Sequence, residues 1–141
     1  MLNRKKKAMK ETYHVGQGVN EISLEVIIGT PGLAHTIVFL FSDSTTYEII
    51  KESDADSGNI EKTLIGMTDG LAGNFLQIRS TVDFGTIDPE QWPQLADTIY
   101  CEYQLTGGSN GEGIFHCATD DKAISNNGRV VVIDKFIDLI Q

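Results

Sequence analysis

Nowhere does this sequence stay apolar for the roughly 20 residues that a membrane-spanning helix needs. Proline is scarce, with three in 141 residues, and tryptophan occurs once. Cysteine occurs twice, as Cys101 and Cys117, which is too few for a disulfide-stapled scaffold or a four-cysteine zinc site. Beyond residue 10 positive charge is scarce too. Those 131 residues hold six of the eleven basic residues and all twenty acidic ones, a formal charge of −14. Such a body repels phosphate backbones and anionic headgroups, so no nucleic-acid partner and no membrane span are expected. The sequence contains no H-E-x-x-H, no P-loop and no G-x-G-x-x-G. The expectation is a protein that is not an enzyme and carries no cofactor.

The length suits one domain with its own core. Hydrophobic residues at 40% and charged residues at 22% mark a globular chain rather than a disordered one. The first ten residues, "MLNRKKKAMK", carry five basic residues and no acid. They read as a solvated basic arm ahead of a single domain over 11–141, with Met9 an alternative start of translation. The next residues are "ETYHVGQG" rather than an apolar stretch, so the pattern is not that of a secretory signal and a cytoplasmic location is expected.

Period-two alternation recurs along the chain, bounded by glycine and polar turns. In "ISLEVIIG", Ile22, Leu24, Val26 and Ile28 share one face and Ser23 and Glu25 the other. "AHTIVFLF" is apolar on both faces after Thr36, as a central strand would be. "TTYEIIK" is a further strand, and the polar loop "ESDADSGN" comes after it. "EKTLIGM" and "FLQIRSTVDF" flank "TDGLAGN", which reads as a hairpin, with Leu76, Ile78 and Val82 on one side of the second strand. "GTIDPEQWPQLAD" is the least regular stretch and reads as a crossing between sheets. Asn127-Gly128 is a two-residue hairpin signal. The tail "IDKFIDLI" fits a short helix or a bulged strand equally well. Eight or nine strands with short connections and no β-α alternation point to an all-β antiparallel sandwich, jelly-roll-like or immunoglobulin-like, with a closed barrel as the alternative.

The two cysteines flank a glycine-rich middle. If 98–105 and 113–119 pair with Leu105 opposite Gly113, then Tyr103 faces Phe115 and Cys101 faces Cys117, all on one face. Tyr100, Glu102, Gln104, Ile114 and His116 fall on the other. Four readings compete: free core thiols, a cross-strand disulfide, a metal site and a nucleophile. Core thiols stand first, because free cysteine behaves as a small hydrophobe. A disulfide is expected only at a non-hydrogen-bonded pair. His116 faces away from Cys117, which weighs against both metal and nucleophile.

The acidic loops offer Asp54, Asp56, Asp83 and Asp88 as oxygen ligands, and calcium is the ion they would suit. Asp54-x-Asp56 starts like an EF-hand loop, but the glycine comes one place early and no glutamate sits at the twelfth position. Acidic turns that keep a β-protein soluble are the plainer reading. Trp92, Tyr100 and His116 are the candidates for a ligand surface, since aromatic faces stack on sugar rings; the alternative is that Trp92 plugs the end of the sandwich. "GSNGEG" reads as a flexible turn, because no helix comes after it to cradle a phosphate. Two functions therefore stand. The first is a module acting through protein–protein contacts, as a homo-oligomer or with another protein, and as a structural subunit of an assembly. The second is a jelly-roll that binds carbohydrate or another small polar ligand with calcium assistance.

Overall fold

The structure is a computed structural model and describes residues 11–141. The basic segment 1–10 and the alternative start at Met9 lie outside the described residues. Among the described residues ten strands form: β1 (Glu11–His14), β2 (Glu21–Gly29), β3 (Leu33–Phe41), β4 (Tyr47–Glu52), β5 (Ile60–Met67), β6 (Phe75–Asp83), β7 (Tyr100–Gly108), β8 (Gly111–His116), β9 (Lys122–Ser125) and β10 (Val130–Ile140). They make two open sheets, a sandwich and not a closed barrel. Six strands lie in the first, in the order β1-β10-β6-β3-β4, with β9 also on β10. The second has the order β5-β2-β7-β8.

β10 is the longest strand, at 11 residues, and organises the larger sheet. β6 pairs along one of its edges from Val130 to Asp138. The other edge is shared: β9 covers Val130–Ile133 antiparallel and β1 covers Ile137–Ile140 parallel. The tail that fits helix or strand by spacing is therefore strand throughout. Its strict alternation of buried and half-buried positions arises because one face is turned to the other sheet. The two inner faces meet in the core, Ile22, Leu24 and Val26 of β2 from the smaller sheet and Leu76, Ile78 and Val82 of β6 from the larger, all essentially without solvent contact.

"TDGLAGN" is not a hairpin. β5 pairs with β2 in one sheet and β6 with β3 and β10 in the other. The connection is a single helical turn, α1 (Thr68–Leu71), that closes the end of the sandwich. Leu71 and Thr68 are buried there, and Thr68 N–H and Asp69 N–H donate to Asn20 O and Gly18 O. The stretch 84–99 does cross between sheets, through α2 (Trp92–Leu95) and flanking 3₁₀ turns. The Asn127-Gly128 hairpin forms between β9 and β10, but its loop has four residues, with Ser125 opposite Val130. Asn126 and Asn127 both take positive φ in it.

Candidate functional site

The β7–β8 pairing has the register the sequence suggests: Tyr103 opposite Phe115 and Leu105 opposite Gly113. Both strands run further than the sequence implies, to Gly108 and Gly111, and turn on Ser109-Asn110. A register shift between Leu105 and Gly108 absorbs the extra residue, and Gly107, at φ +101°, sits in it. A Cβ at Gly107 would fall on the carbonyl oxygen of Glu21 in β2. The glycine-rich turn is tied down from the other sheet. The Tyr13 hydroxyl of β1 donates to Gly111 O (2.6 Å) and accepts from Gly108 N (2.8 Å).

At the other end of the same hairpin, Cys117 continues the register past β8 and lies opposite Cys101. Its N–H donates to Cys101 O at 3.4 Å. The pair is thus hydrogen-bonded, not the non-hydrogen-bonded kind expected of a bridge. The Cα separation at such pairs, about 5.5 Å, still lies in the range a disulfide spans. Both cysteines are free thiols; Cys101 is buried and Cys117 is half-buried against the core. The Cys101 thiol hydrogen-bonds to Cys117, which holds the first proton of the pair down to about 7, and the Lys122 ammonium acts in the same direction. That bond, with burial, drives Cys101 far upward.

Around the thiols lies a polar cluster. Lys122 Nζ donates to Ala96 O at 2.8 Å. Asp121 accepts from Ala118 N at 2.7 Å and faces Lys135 Nζ at 3.4 Å, while Glu11 faces the same nitrogen at 3.3 Å. Lys135 is 4% exposed. It lies on the inner face of β10 at the gap where β9 has ended and β1 has not begun, so its amine reaches the acids at that edge. Alternation signals this, since Lys135 shares parity with buried Ile133 and Ile137. The Tyr103 hydroxyl is fully buried, and the one group close enough to bond it is the Cys101 thiol, a weak partner; Cys117 and Asp121 act on it only through their charge. Burial pushes its pKa up.

A second feature lies on the outer face of the six-stranded sheet, away from the core. Phe41 and Phe75 stack with centroids 4.7 Å apart and planes at 3°. Tyr47 packs on Phe41 and Phe39 at 5.1 and 5.4 Å, and Phe136 lies 6.4 Å from Phe75. The row spans four adjacent strands, β4, β3, β6 and β10. Tyr47 is 55% exposed and Ile49, beside it, 50%. The Arg79 guanidinium closes the row, donating to both oxygens of Asp134 at 2.8 and 2.9 Å.

The other residues singled out from sequence are scattered. Tyr100 and His116 come together on the outer face of the smaller sheet, 3.4 Å from Oη to Nε2, with Glu102 accepting from the Tyr100 hydroxyl. Trp92 is elsewhere, on α2, packed against the core. Its Nε1–H is shared between Phe84 O (2.9 Å) and Ile87 O (3.0 Å). Asp83 pairs with Arg129 Nε at 3.1 Å and accepts from Gly85 N, and these bonds hold its carboxyl below the usual range. Asp88 caps Glu90 N. Asp54 and Asp56 lie in the β4–β5 loop, and Asp56 O accepts from Ala34 N. Among the described residues, no three histidine, cysteine or carboxylate side chains gather as a metal site.

Gly107-Gly108-Ser109-Asn110-Gly111 spells G-x-S-x-G, a motif easily passed over in so glycine-rich a stretch. A nucleophile elbow needs a strand-to-helix turn; here the serine sits in a β-hairpin turn and its N–H donates to His14 O. No family model matches the chain, and neither does any curated protein or solved structure.

Proposed function

We propose that this protein is a β-sandwich module of an assembly and works through protein–protein contact, with the outer face of its six-stranded sheet as the contact surface and a second copy of the chain as the occupant. The observation that carries this reading is the aromatic row on that face. In an antiparallel sandwich the outer face is ordinarily polar, because only the inner face needs to be dry. Here five rings and Ile49 stand where polar side chains would suffice; Tyr47 and Ile49 are exposed and the four phenylalanines half-buried, and contiguous apolar area on an outer face marks contact sites.

Two arguments favour a copy of the same chain. A body at −14 repels another such body, so copies meet only on a face nearly free of net charge. Within the row the one strong cation, Arg79, is neutralised by Asp134, and the acid Asp138 lies at its margin, opposite Phe75. Size fits as well. Nine-residue strands at about 3.3 Å per residue, five strand positions wide at about 4.8 Å, give roughly 700 Å² in projection. A standard interface covers about 800 Å² per partner. A sugar platform is favoured less. Phe41 and Phe75 turn their faces to each other rather than to solvent, and phenylalanine offers no polar handle.

Light scattering on eluted full-length protein over a concentration series tests the proposal. A discrete oligomer is expected for the wild type, and a monomer for Tyr47→Lys/Ile49→Lys, whose side chains are half exposed and cost the fold little. A wild type that stays monomeric at high concentration overturns the second copy as occupant. An oligomer unchanged in the double variant overturns the surface.

A further inference from the structure

We propose that Cys101 and Cys117 are a reversible dithiol–disulfide pair, with Cys117 the thiol that meets a peroxide and Cys101 the thiol that resolves it. The register places the two directly opposite, and Cys117 N–H bonds Cys101 O, so the chain already holds them at bridging separation. Their environments divide the roles. Cys117 is half-buried just past the end of β8, where solvent reaches it, whereas Cys101 is 1% exposed. The charged and titratable groups acting on Cys117 come from three directions: Cys101 and Tyr103 on β7, Lys122 at the start of β9, and Asp121 before it, whose charge is shared with Lys135 of β10. Lys122 and the Cys101 thiol favour the thiolate; Asp121 and burial oppose it.

The oxidant is hydrogen peroxide or an alkyl hydroperoxide. The Cys117 thiolate attacks one peroxide oxygen and breaks the O–O bond. The sulfur becomes a sulfenic acid, and the departing oxygen leaves as water or alcohol after taking a proton. The Cys101 thiol then gives up its proton and attacks the sulfenic sulfur; the S–O bond breaks and hydroxide leaves as water. Two thiols lose two electrons and two protons, and one peroxide is reduced. A low-molecular-weight thiol reverses the bridge by exchange. The bridge would fasten the segment that carries Asp121 and Lys122 to β7, without needing the aromatic face.

The test is peroxide titration of the reduced full-length protein, with intact mass and thiol counting as readouts. The expected result is loss of both thiols with a mass decrease of about 2 Da, fully restored by dithiothreitol. In Cys101→Ser, Cys117 should accumulate sulfenic acid that dimedone traps. In Cys117→Ser, the rate should fall at least tenfold. In Lys122→Gln, which leaves both thiols in place, the pH profile of Cys117 alkylation should move to higher pH and the rate at neutral pH should fall several-fold. Circular dichroism melts check that each variant is folded. The proposal is overturned if the wild type keeps both thiols, if only disulfide-linked dimers form, or if folded Lys122→Gln reacts with an unshifted profile.

Discussion

Tyr103→Phe should stabilise this protein, against the usual sign of such a change. The Tyr103 side chain is 0% exposed and its hydroxyl has no full hydrogen-bond partner. Burying an unpaired hydroxyl costs about 1–3 kcal/mol. Removing the oxygen leaves a void the size of a single atom, worth about 0.3 kcal/mol at roughly 24 cal/mol per Å³. The weak hold of the Cys101 thiol offsets part of the gain. The net expectation is a gain of about 1 kcal/mol, or about 3–5 °C in Tm for a domain this size. Tyr13→Phe is the internal control. It removes a donated bond to Gly111 O and an accepted bond from Gly108 N, so a loss of about 1.5–2 kcal/mol is expected. The same atom deleted at two sites should thus separate the variants by about 3 kcal/mol. Urea denaturation with reductant present, monitored by far-ultraviolet circular dichroism, measures both. A loss of 1 kcal/mol or more in Tyr103→Phe would refute the reasoning. It would mean that the Cys101 thiol, or a water, fully satisfies the hydroxyl.

Gly107→Ala should destabilise by at least about 3 kcal/mol, because it combines a positive φ with a clash against the Glu21 carbonyl. Retained stability in a urea titration would show that the β7 register shift can relax. The Asp83–Arg129 pair should leave a small, salt-sensitive mark on acid unfolding. Asp83 has a depressed pKa in the folded state, chiefly through the bond from Arg129, then through Gly85 N. Its contribution is therefore present above the unfolded value near 3.9 and fades as pH falls through the lower folded value. Asp83→Asn should flatten the acid limb of a stability–pH curve at low salt and leave it unchanged at high salt; an effect that survives high salt would contradict a pair this exposed.

What the sequence discloses here is what depends on parity within one strand. Ile22, Leu24, Val26 and Ile28 declare their face, and so do Leu76, Ile78 and Val82. The β7–β8 register is settled once Leu105 is set against Gly113. Parity fails where a segment's fate depends on which sheet its neighbours join. "TDGLAGN" has the composition of a hairpin turn, yet Leu71 needs burial, and a turn that swings from β5 to the opposite sheet provides it. It fails again for the aromatic row. Phe41, Phe75 and Phe136 lie far apart in the chain, and their contact exists only because β6 sits between β3 and β10. "AHTIVFLF" is apolar on both faces for two different reasons: Val38 and Leu40 fill the core, while Phe39 and Phe41 stand outside it.

The contact face and the thiol pair are physically separable, and that separation makes both proposals easier to break. The rings lie on the outer side of β4, β3, β6 and β10; the thiols lie on β7 and just past the end of β8, turned inward on the other sheet's side. The sandwich core stands between the two. A Tyr47→Lys/Ile49→Lys variant should therefore lose association while its Cys117 alkylation profile stays where it was. Conversely, Cys117→Ser should leave the oligomeric state untouched. If either substitution moved the other readout, the two features would share one coupled element. Lys135 would be the residue to examine first, because β10 carries both Phe136 on its outer face and the ammonium that holds Asp121 beside the thiols.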